Sequence, residues 1–337
     1  MNILIIAPSW VGDTMMAQGL FKLLKTESPA HTIDVLAPEW TYPLVKRMPE
    51  VNDVMLSPFI HGDFKPKERY FFGVSLRTRN YEKAIVLPNT FKSAIIPWAA
   101  AIPTRTGWFG ECRMGLLNDT RFLNKKKYPR MIERYLALGL LRGAPLPNPY
   151  PVPSLSVTES QQHATSQHFQ LKIDQSKRIL ALCPGAAFGA AKCWPPNYFA
   201  ELARKKQQEG YDIWLFGAKQ DAWALDHIAL SLNHQCEHFG GRLTLDQTVD
   251  LLSLATCIVS NDSGLMHIGA ALNKPLFAIF GPTNPEFTPP LSDHAVILTT
   301  HLPCQPCGKR ICPLKHHHCM IQLTPDYVLA KMREAGF

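Results

Sequence analysis

Short, continuous apolar runs alternate with longer amphipathic stretches along this chain of 337 residues. The alternation breaks off once, at APLPNPYPVPSLSV (144–157), and then resumes. Five prolines fall between Pro145 and Pro153. Each removes a backbone donor and fixes φ, so no regular element crosses the stretch, which reads as a linker. Before it, NILIIAP, TIDVLAP and KAIVLPN read as strands. Helical stretches lie at 12–25, EWTYPLVKRM, FKSAIIPWAAA and PRMIERYLALGLL. After it, RILALCPG, YDIWLFGA, CIVSND and PLFAIFGP read as strands. PPNYFAELARKKQQEG, DAWALDHIALSLN, LTLDQTVDLLSLA, SGLMHIGAALN and TPDYVLAKMREAGF read as helices. Strands apolar along their whole length are buried on both faces, which means parallel sheets covered by helices. The expected fold class is therefore α/β, with two similar α/β halves at 1–150 and 151–323. The closing helix, 324–337, is free in this scheme to pack back on the first domain. Ligands of such sheets bind beyond the carboxyl ends of the strands, and with two domains the expected site is the cleft between them.

Several classes are excluded. No stretch approaches the roughly 20 apolar residues of a spanning helix. The N-terminus has neither a charged n-region nor a small-residue cleavage site, so the expected location is the cytoplasm. The net charge of +8 is confined to one half: residues 1–150 hold 20 Lys and Arg against 12 Asp and Glu, and the remainder is balanced. A basic half suits an anionic partner such as nucleic acid, a membrane surface or a phosphorylated substrate. No RNA-binding signature or helix-turn-helix accompanies it, so nucleic acid is not the expected partner.

The densest signal is IVSNDSGLMHIGAALNKPLFAIFGPTNP, 258–285. A strand ends in Asn261-Asp262-Ser263-Gly264 and a helix follows at once. Unpaired N–H groups at a helix start carry partial positive charge, and Ser263 and Gly264 let an anion approach them: a diphosphate cradle without a P-loop. Asp262 is a candidate acceptor for sugar hydroxyls, and His267 lies one turn on. The bland alternatives are helix caps and a core histidine. PGAAFGAAKCWP (184–195) carries a single charge, Lys192, suited to neutralising a departing diphosphate. LFGAKQD (215–221) offers Lys219, Gln220 or Asp221 towards a ribose, and Leu243 and Thr244 lie in the next loop, towards a base. In the first half IIAPSWVGD places Asp13 at a strand–helix junction, where an acid is either a first-turn cap or a base.

PSWVGD, PNTFKSA, RTGW, CPGAAFGAAKCWP and NDSGLMHIGAAL, followed by GPTNP and TPP, occur in this order from residue 1 to about residue 292. Together they resemble glycosyltransferase family 9. The resemblance implies a GT-B architecture of two Rossmann-like domains, with acceptor on the first domain and donor on the second. It implies inverting transfer of L-glycero-D-manno-heptose from ADP-heptose to a phosphorylated lipid A–Kdo–heptose acceptor, with Kdo-lipid A itself the alternative. It also implies no catalytic metal or other cofactor, Asp13 as general base, and Lys192 as the group that stabilises the leaving ADP. A nucleotide-sugar epimerase, which needs acid/base pairs near the donor sugar, is the rival within the superfold. The basic half then has a reason, since the acceptor sits in the inner leaflet and the enzyme would work at the cytoplasmic face of the inner membrane. Lys92, Arg105 and the run Lys125–Lys127 are the candidate acceptor contacts. Tyr70, Phe71, Phe72, Trp98 and Trp108 are candidates for the membrane interface.

CQPCGKRICPLKHHHC brings Cys304, Cys307, Cys312 and Cys319 within sixteen residues, with three histidines. That density suits a structural Zn or Fe–S cluster; reduced loop thiols are the alternative. Five further cysteines are scattered, as in a reduced compartment.

Overall fold

The computed structural model describes residues 1–60, 62–174 and 176–337. The chain divides into two compact units, Met1–Pro153 and Ser154–Phe337, at the end of the proline run.

The first unit runs β1 (Asn2–Ile6), α1 (Val11–Glu27), β2 (Thr32–Ala37), α2 (Tyr42–Val45), β3 (Asp53–Leu56), α3 (Pro66–Ser75), β4 (Lys83–Val86), α4 (Phe91–Ala99), β5 (Thr104–Trp108), β6 (Asp119–Arg121) and α5 (Met131–Gly139). Its sheet has the order β3-β2-β1-β4-β5-β6, with parallel pairings throughout. β1 is central: Ile5 stands opposite Val35 on one side and Ile85 on the other. Ile3, Leu4 and Ile5 are all buried, which is why this strand is apolar without alternation. α1 is built from Met, Ala, Leu and Lys, good helix formers. It ends where Ser28 turns extended (φ −156°, ψ 114°), as a residue before proline prefers.

The second unit runs α6 (Glu159–His168), β7 (Arg178–Cys183), α7 (Pro196–Gln208), β8 (Tyr211–Leu215), α8 (Ala222–Ser231), β9 (Glu237–His238), α9 (Leu245–Leu252), β10 (Cys257–Asn261), α10 (Gly264–Ala271), β11 (Leu276–Ile279), β12 (Ala295–Leu298), α11 (His318–Ile321) and α12 (Pro325–Glu334). Its sheet is again parallel, in the order β12-β11-β10-β7-β8-β9. Each sheet is thus a doubly wound α/β sheet, as the strand–helix alternation requires.

The closing helix, α12, packs within the second unit. Its Val328, Leu329 and Met332 share a core with Phe199, Leu202 and Ala203 of α7. Two contacts fix it there: the Trp194 indole N–H donates to the Leu323 carbonyl at 2.6 Å, and Lys205 pairs with Asp326 at 2.6 Å. Among the described residues no helix is long and apolar enough to cross a membrane.

Candidate functional site

In the second unit β7 and β10 lie side by side, and the chain winds outward from them in opposite directions. That is the switch point at which an open α/β sheet leaves a crevice. The loops leaving these two strands carry Lys192 and Asp262-Ser263-Gly264. Asn261, the buried last residue of β10, clips them together. Its side-chain amide donates to the Pro184 carbonyl at 2.6 Å, and its side-chain oxygen accepts from the Trp194 N–H at 3.2 Å.

Lys192 sits on a single 3₁₀ turn, Ala190–Lys192. Its ammonium lies 2.6 Å from Asp262 Oδ2, and the Thr283 hydroxyl donates to the same oxygen at 2.5 Å. The side chains are 12% and 5% exposed, so the pair is largely shielded from water and its charges act strongly on their surroundings. Lys192 also stands 4.9 Å above the Phe188 ring. Asp262 therefore orients Lys192 rather than lying open at the surface. His267, on α10, is buried. Burial pushes its pKa down to about 4; the Asp262 charge opposes this and Lys192 reinforces it. The imidazole is accordingly neutral at physiological pH.

α10 starts at Ser263, which is extended and makes no side-chain cap bond; its hydroxyl lies 3.4 Å from that of Ser260. The first-turn N–H groups are thus left to an incoming anion, with Lys192 beside them. Further along the same edge, the Asp221 carboxylate accepts from the Ala218 N–H at 2.8 Å. It presses on Gly185, where any Cβ would overlap it. Burial raises the Asp221 pKa, against the Ala218 N–H. The Gly241 N–H donates to the Gly217 carbonyl at 2.9 Å, which ties the Asp221 loop to the one carrying Leu243 and Thr244. Thr244 opens α9, its N–H donating to Gln247 at 3.0 Å. Lys192, Asp221, Leu243, Thr244, Asp262, Ser263 and Gly264 thus share one carboxyl edge, from β10 across β7 and β8 to β9.

The first unit repeats the arrangement. β1 and β4 are neighbours and its switch point. Asp13 is at the third position of α1, half-buried, and its charge bears on the buried phenol of Tyr135 from α5. The loop before it is pinned by the Trp40 indole N–H, which donates to the Ser9 carbonyl at 2.6 Å. Lys92 is in the first turn of α4, just beyond β4, so it shares the carboxyl edge with Asp13. Arg105 does not. It is opposite Ala84, near the amino end of β4, and its guanidinium donates to the Leu116 and Ile102 carbonyls at 2.6 Å each. It staples a loop away from the site. Trp108 is buried, with its indole N–H on the Arg134 carbonyl, so it is not an interface aromatic.

Sequence reasoning missed Arg113. Only 1% exposed, it donates to the Pro88 carbonyl at 2.7 Å, the Asn89 side chain at 2.5 Å and the Trp108 carbonyl at 2.5 Å. Burial lowers its pKa to about 10, which leaves it charged. It shapes the loop before Lys92. Nothing in ECRMG separates such an arginine from a surface one.

Cys304, Cys307, Cys312 and Cys319 line one cavity of about 20 Å³ with Ala191 and Pro282, and all four are free thiols. Among the described residues no three His, Cys, Asp or Glu side chains are grouped as a metal requires. A structural Zn or Fe–S cluster is therefore unsupported, although the four thiols converge: after burial, Cys304, Cys307 and Cys312 each push the Cys319 pKa up. The Cys312 sulfur is engaged instead by backbone groups of Leu314, Lys315, His316 and His317, His317 foremost, which lower its pKa. What the segment does is brace the crevice. The Arg310 carbonyl accepts from Ala191 at 3.1 Å, the Gly308 N–H donates to Pro282 at 2.7 Å, and Gln305 donates to Gly281 at 2.7 Å. It thus holds the loops of both Lys192 and Thr283.

The chain is similar to known proteins. The family model for glycosyltransferase family 9 (heptosyltransferase) matches residues 69–318. The chain is similar to lipopolysaccharide heptosyltransferase 2 of Escherichia coli K12, 45% identical over 98% of this chain and 97% of that protein. It is similar to lipooligosaccharide heptosyltransferase 2 of Haemophilus influenzae, 44% identical over 99% of each. The solved structure of E. coli ADP-heptose lps heptosyltransferase II superposes with a TM-score of 0.89 at 43% identity, covering 99% of this chain and 98% of that one. With parallel α/β sheets in both units and likeness over essentially its whole length, the chain belongs to glycosyltransferase family 9, the heptosyltransferases.

Proposed function

We propose that this protein is a lipopolysaccharide heptosyltransferase II. It moves L-glycero-D-manno-heptose from ADP-heptose to the first heptose of a phosphorylated lipid A–Kdo–heptose acceptor. The observation that carries the reading is 45% identity to a heptosyltransferase 2 over 98% of the chain. In this reading residues 1–150 bind the acceptor and the second unit binds the donor.

The diphosphate of ADP-heptose lies on the amino end of α10, with Lys192 beside it. Asp221, Leu243 and Thr244 line the way to the nucleoside. Asp13 takes the proton of the attacking acceptor hydroxyl, whose oxygen bonds to the anomeric carbon from the face opposite the diphosphate. The bond from that carbon to the ADP oxygen breaks, ADP keeps the electron pair, and the configuration inverts. Lys192 and the helix terminus meet the growing negative charge. These groups supply that stabilisation without a metal ion. Asp262 and Thr283 keep Lys192 aimed. His267, neutral, fills the space behind the pair without adding charge. Lys92 and the basic surface around it attract the anionic acceptor, at the cytoplasmic face of the inner membrane.

Mass spectrometry tests the assignment. ADP-heptose is offered with Kdo-lipid A or with the same lipid already bearing one heptose. A gain of one heptose on the second acceptor alone is expected. Gain on the first alone makes the protein a heptosyltransferase I, and gain on neither refutes the reading.

A further inference from the structure

α3 and α4 lie against one another in the first unit, and Gly73 permits it: a Cβ there would meet the Ile96 carbonyl and the Ala99 methyl group. Their outward face is aromatic. Phe71 is 68% exposed, Ile60 65% and Phe64 54%, and Tyr70, Phe91 and Trp98 are exposed as well. The rings form pairs: Phe64, just before α3, with Phe91 of α4 at 6.4 Å, and Tyr70 with Trp98 across the two helices at 5.9 Å. A water-soluble surface gains nothing from such a face, and contiguous exposed apolar patches mark interaction sites. Residues 62–77 and 91–98 carry five basic side chains against two acidic ones; of these Arg69 is buried, on the Phe64 and Asp63 carbonyls. Lys65 and Lys67 open α3, where Lys65 is half-exposed and pairs with Asp63 at 2.9 Å.

We propose that this α3–α4 face docks the protein onto an anionic lipid bilayer, with Phe64, Phe71 and Trp98 entering the headgroup layer and Lys65 and Lys67 meeting lipid phosphates. Rings with a polar edge suit that interface, and basic residues around them add attraction to anionic lipid. The same charge makes a bilayer a better match than an apolar protein groove. The inference rests on the proposed function, whose acceptor is a lipid, and it extends that function by naming the surface that finds the membrane.

The test is flotation of the full-length protein with vesicles of phosphatidylglycerol and phosphatidylethanolamine, or of phosphatidylcholine alone. The wild type is expected to float with the anionic vesicles and to be released by salt. Phe64→Ser with Phe71→Ser is expected to cut the bound fraction on the order of tenfold. Lys65→Glu with Lys67→Glu is expected to abolish the preference for anionic lipid. Both variants are expected to keep wild-type transfer to a water-soluble, deacylated acceptor, which tests the enzymatic reading separately from the docking. Equal flotation of wild type and the double serine variant, or no flotation of the wild type, overturns the proposal. So does a wild-type dimer that the serine substitutions dissociate, since the face would then be a contact between copies.

Discussion

Replacing Lys192 by Met removes one partner of a shielded ion pair and leaves the other in place. Asp262 is 5% exposed and Lys192 Nζ stands 2.6 Å from it. Breaking such a pair costs about 3–5 kcal/mol, because a carboxylate stays buried with its charge uncompensated. Here a neighbour can respond. Lys192 is one of the groups that hold His267 at a pKa of about 4, while Asp262 pulls the other way. Without the lysine the His267 pKa rises, and on acidification the imidazolium takes over as counter-ion. In the wild type the depressed His267 pKa works in the opposite direction. Between pH 4 and 6.5 the unfolded chain binds the proton and the folded one does not, so stability falls as pH falls through that window. Lys192→Met is therefore expected to be strongly destabilised at pH 8 and to lose less, or even recover, as the pH drops towards 6. Urea unfolding across that range measures this, with the His267 ring followed by NMR. Lys192→Met with Asp262→Asn is expected to regain most of the stability while ADP-heptose binding stays weak. An unchanged His267 titration in Lys192→Met, or a loss of stability that does not vary with pH, refutes the coupling.

Asp13→Asn is expected to lower transfer by about 10²–10⁴-fold, the usual contribution of a general base, while calorimetry finds ADP-heptose affinity within about twofold of wild type. Wild-type turnover in that variant would reduce Asp13 to a first-turn acid. Arg113→Leu is expected to destabilise the first unit by about 2–4 kcal/mol, since the Pro88 and Trp108 carbonyls lose their donor, as read from the thermal midpoint; a midpoint within a degree of wild type contradicts its bracing role. Transfer is expected to proceed at an unchanged rate in excess EDTA, and inhibition reversed by a divalent cation would mean that Lys192 and α10 are not sufficient for the leaving group.

The central strands were legible because they are buried on both faces: ILII of β1 and IV of β10 need no tertiary information to be read as interior. The edges were not. β3, β6 and β12 are short strands at or near the sheet edges, and β6 is the polar triplet Asp119-Thr120-Arg121. Only pairing with a neighbour makes it a strand. α6 escaped notice because ESQQHATSQH is polar nearly all round, although Thr165 still reaches the buried Asp250 at 2.7 Å. In the candidate site, position beyond a strand end sufficed to put Lys192, Asp262 and the start of α10 at one sheet edge. What the sequence withheld was orientation. That Asp262 is committed to Lys192, that Arg105 points at carbonyls, and that Arg113 is buried all depend on partners distant in the chain. The cysteines teach the same lesson: spacing put four thiols around one cavity, but the backbone decides where each sulfur points.

The bracing of the second unit's crevice by the cysteine-rich segment bears on the order in which the chain can assemble during synthesis. Every strand of the first sheet has been made by Arg121, so that unit has all it needs to form its sheet early. The crevice with Lys192 has to wait. The loop that holds Lys192 is held in turn by Gly308 and Arg310, Trp194 reaches forward to Leu323, and α12 closes the core behind it. A nascent chain, or one cut short before α12, thus carries Lys192, Asp262 and the start of α10 and still lacks the contacts that hold their loops in shape. Competence arrives only once α12 has been made.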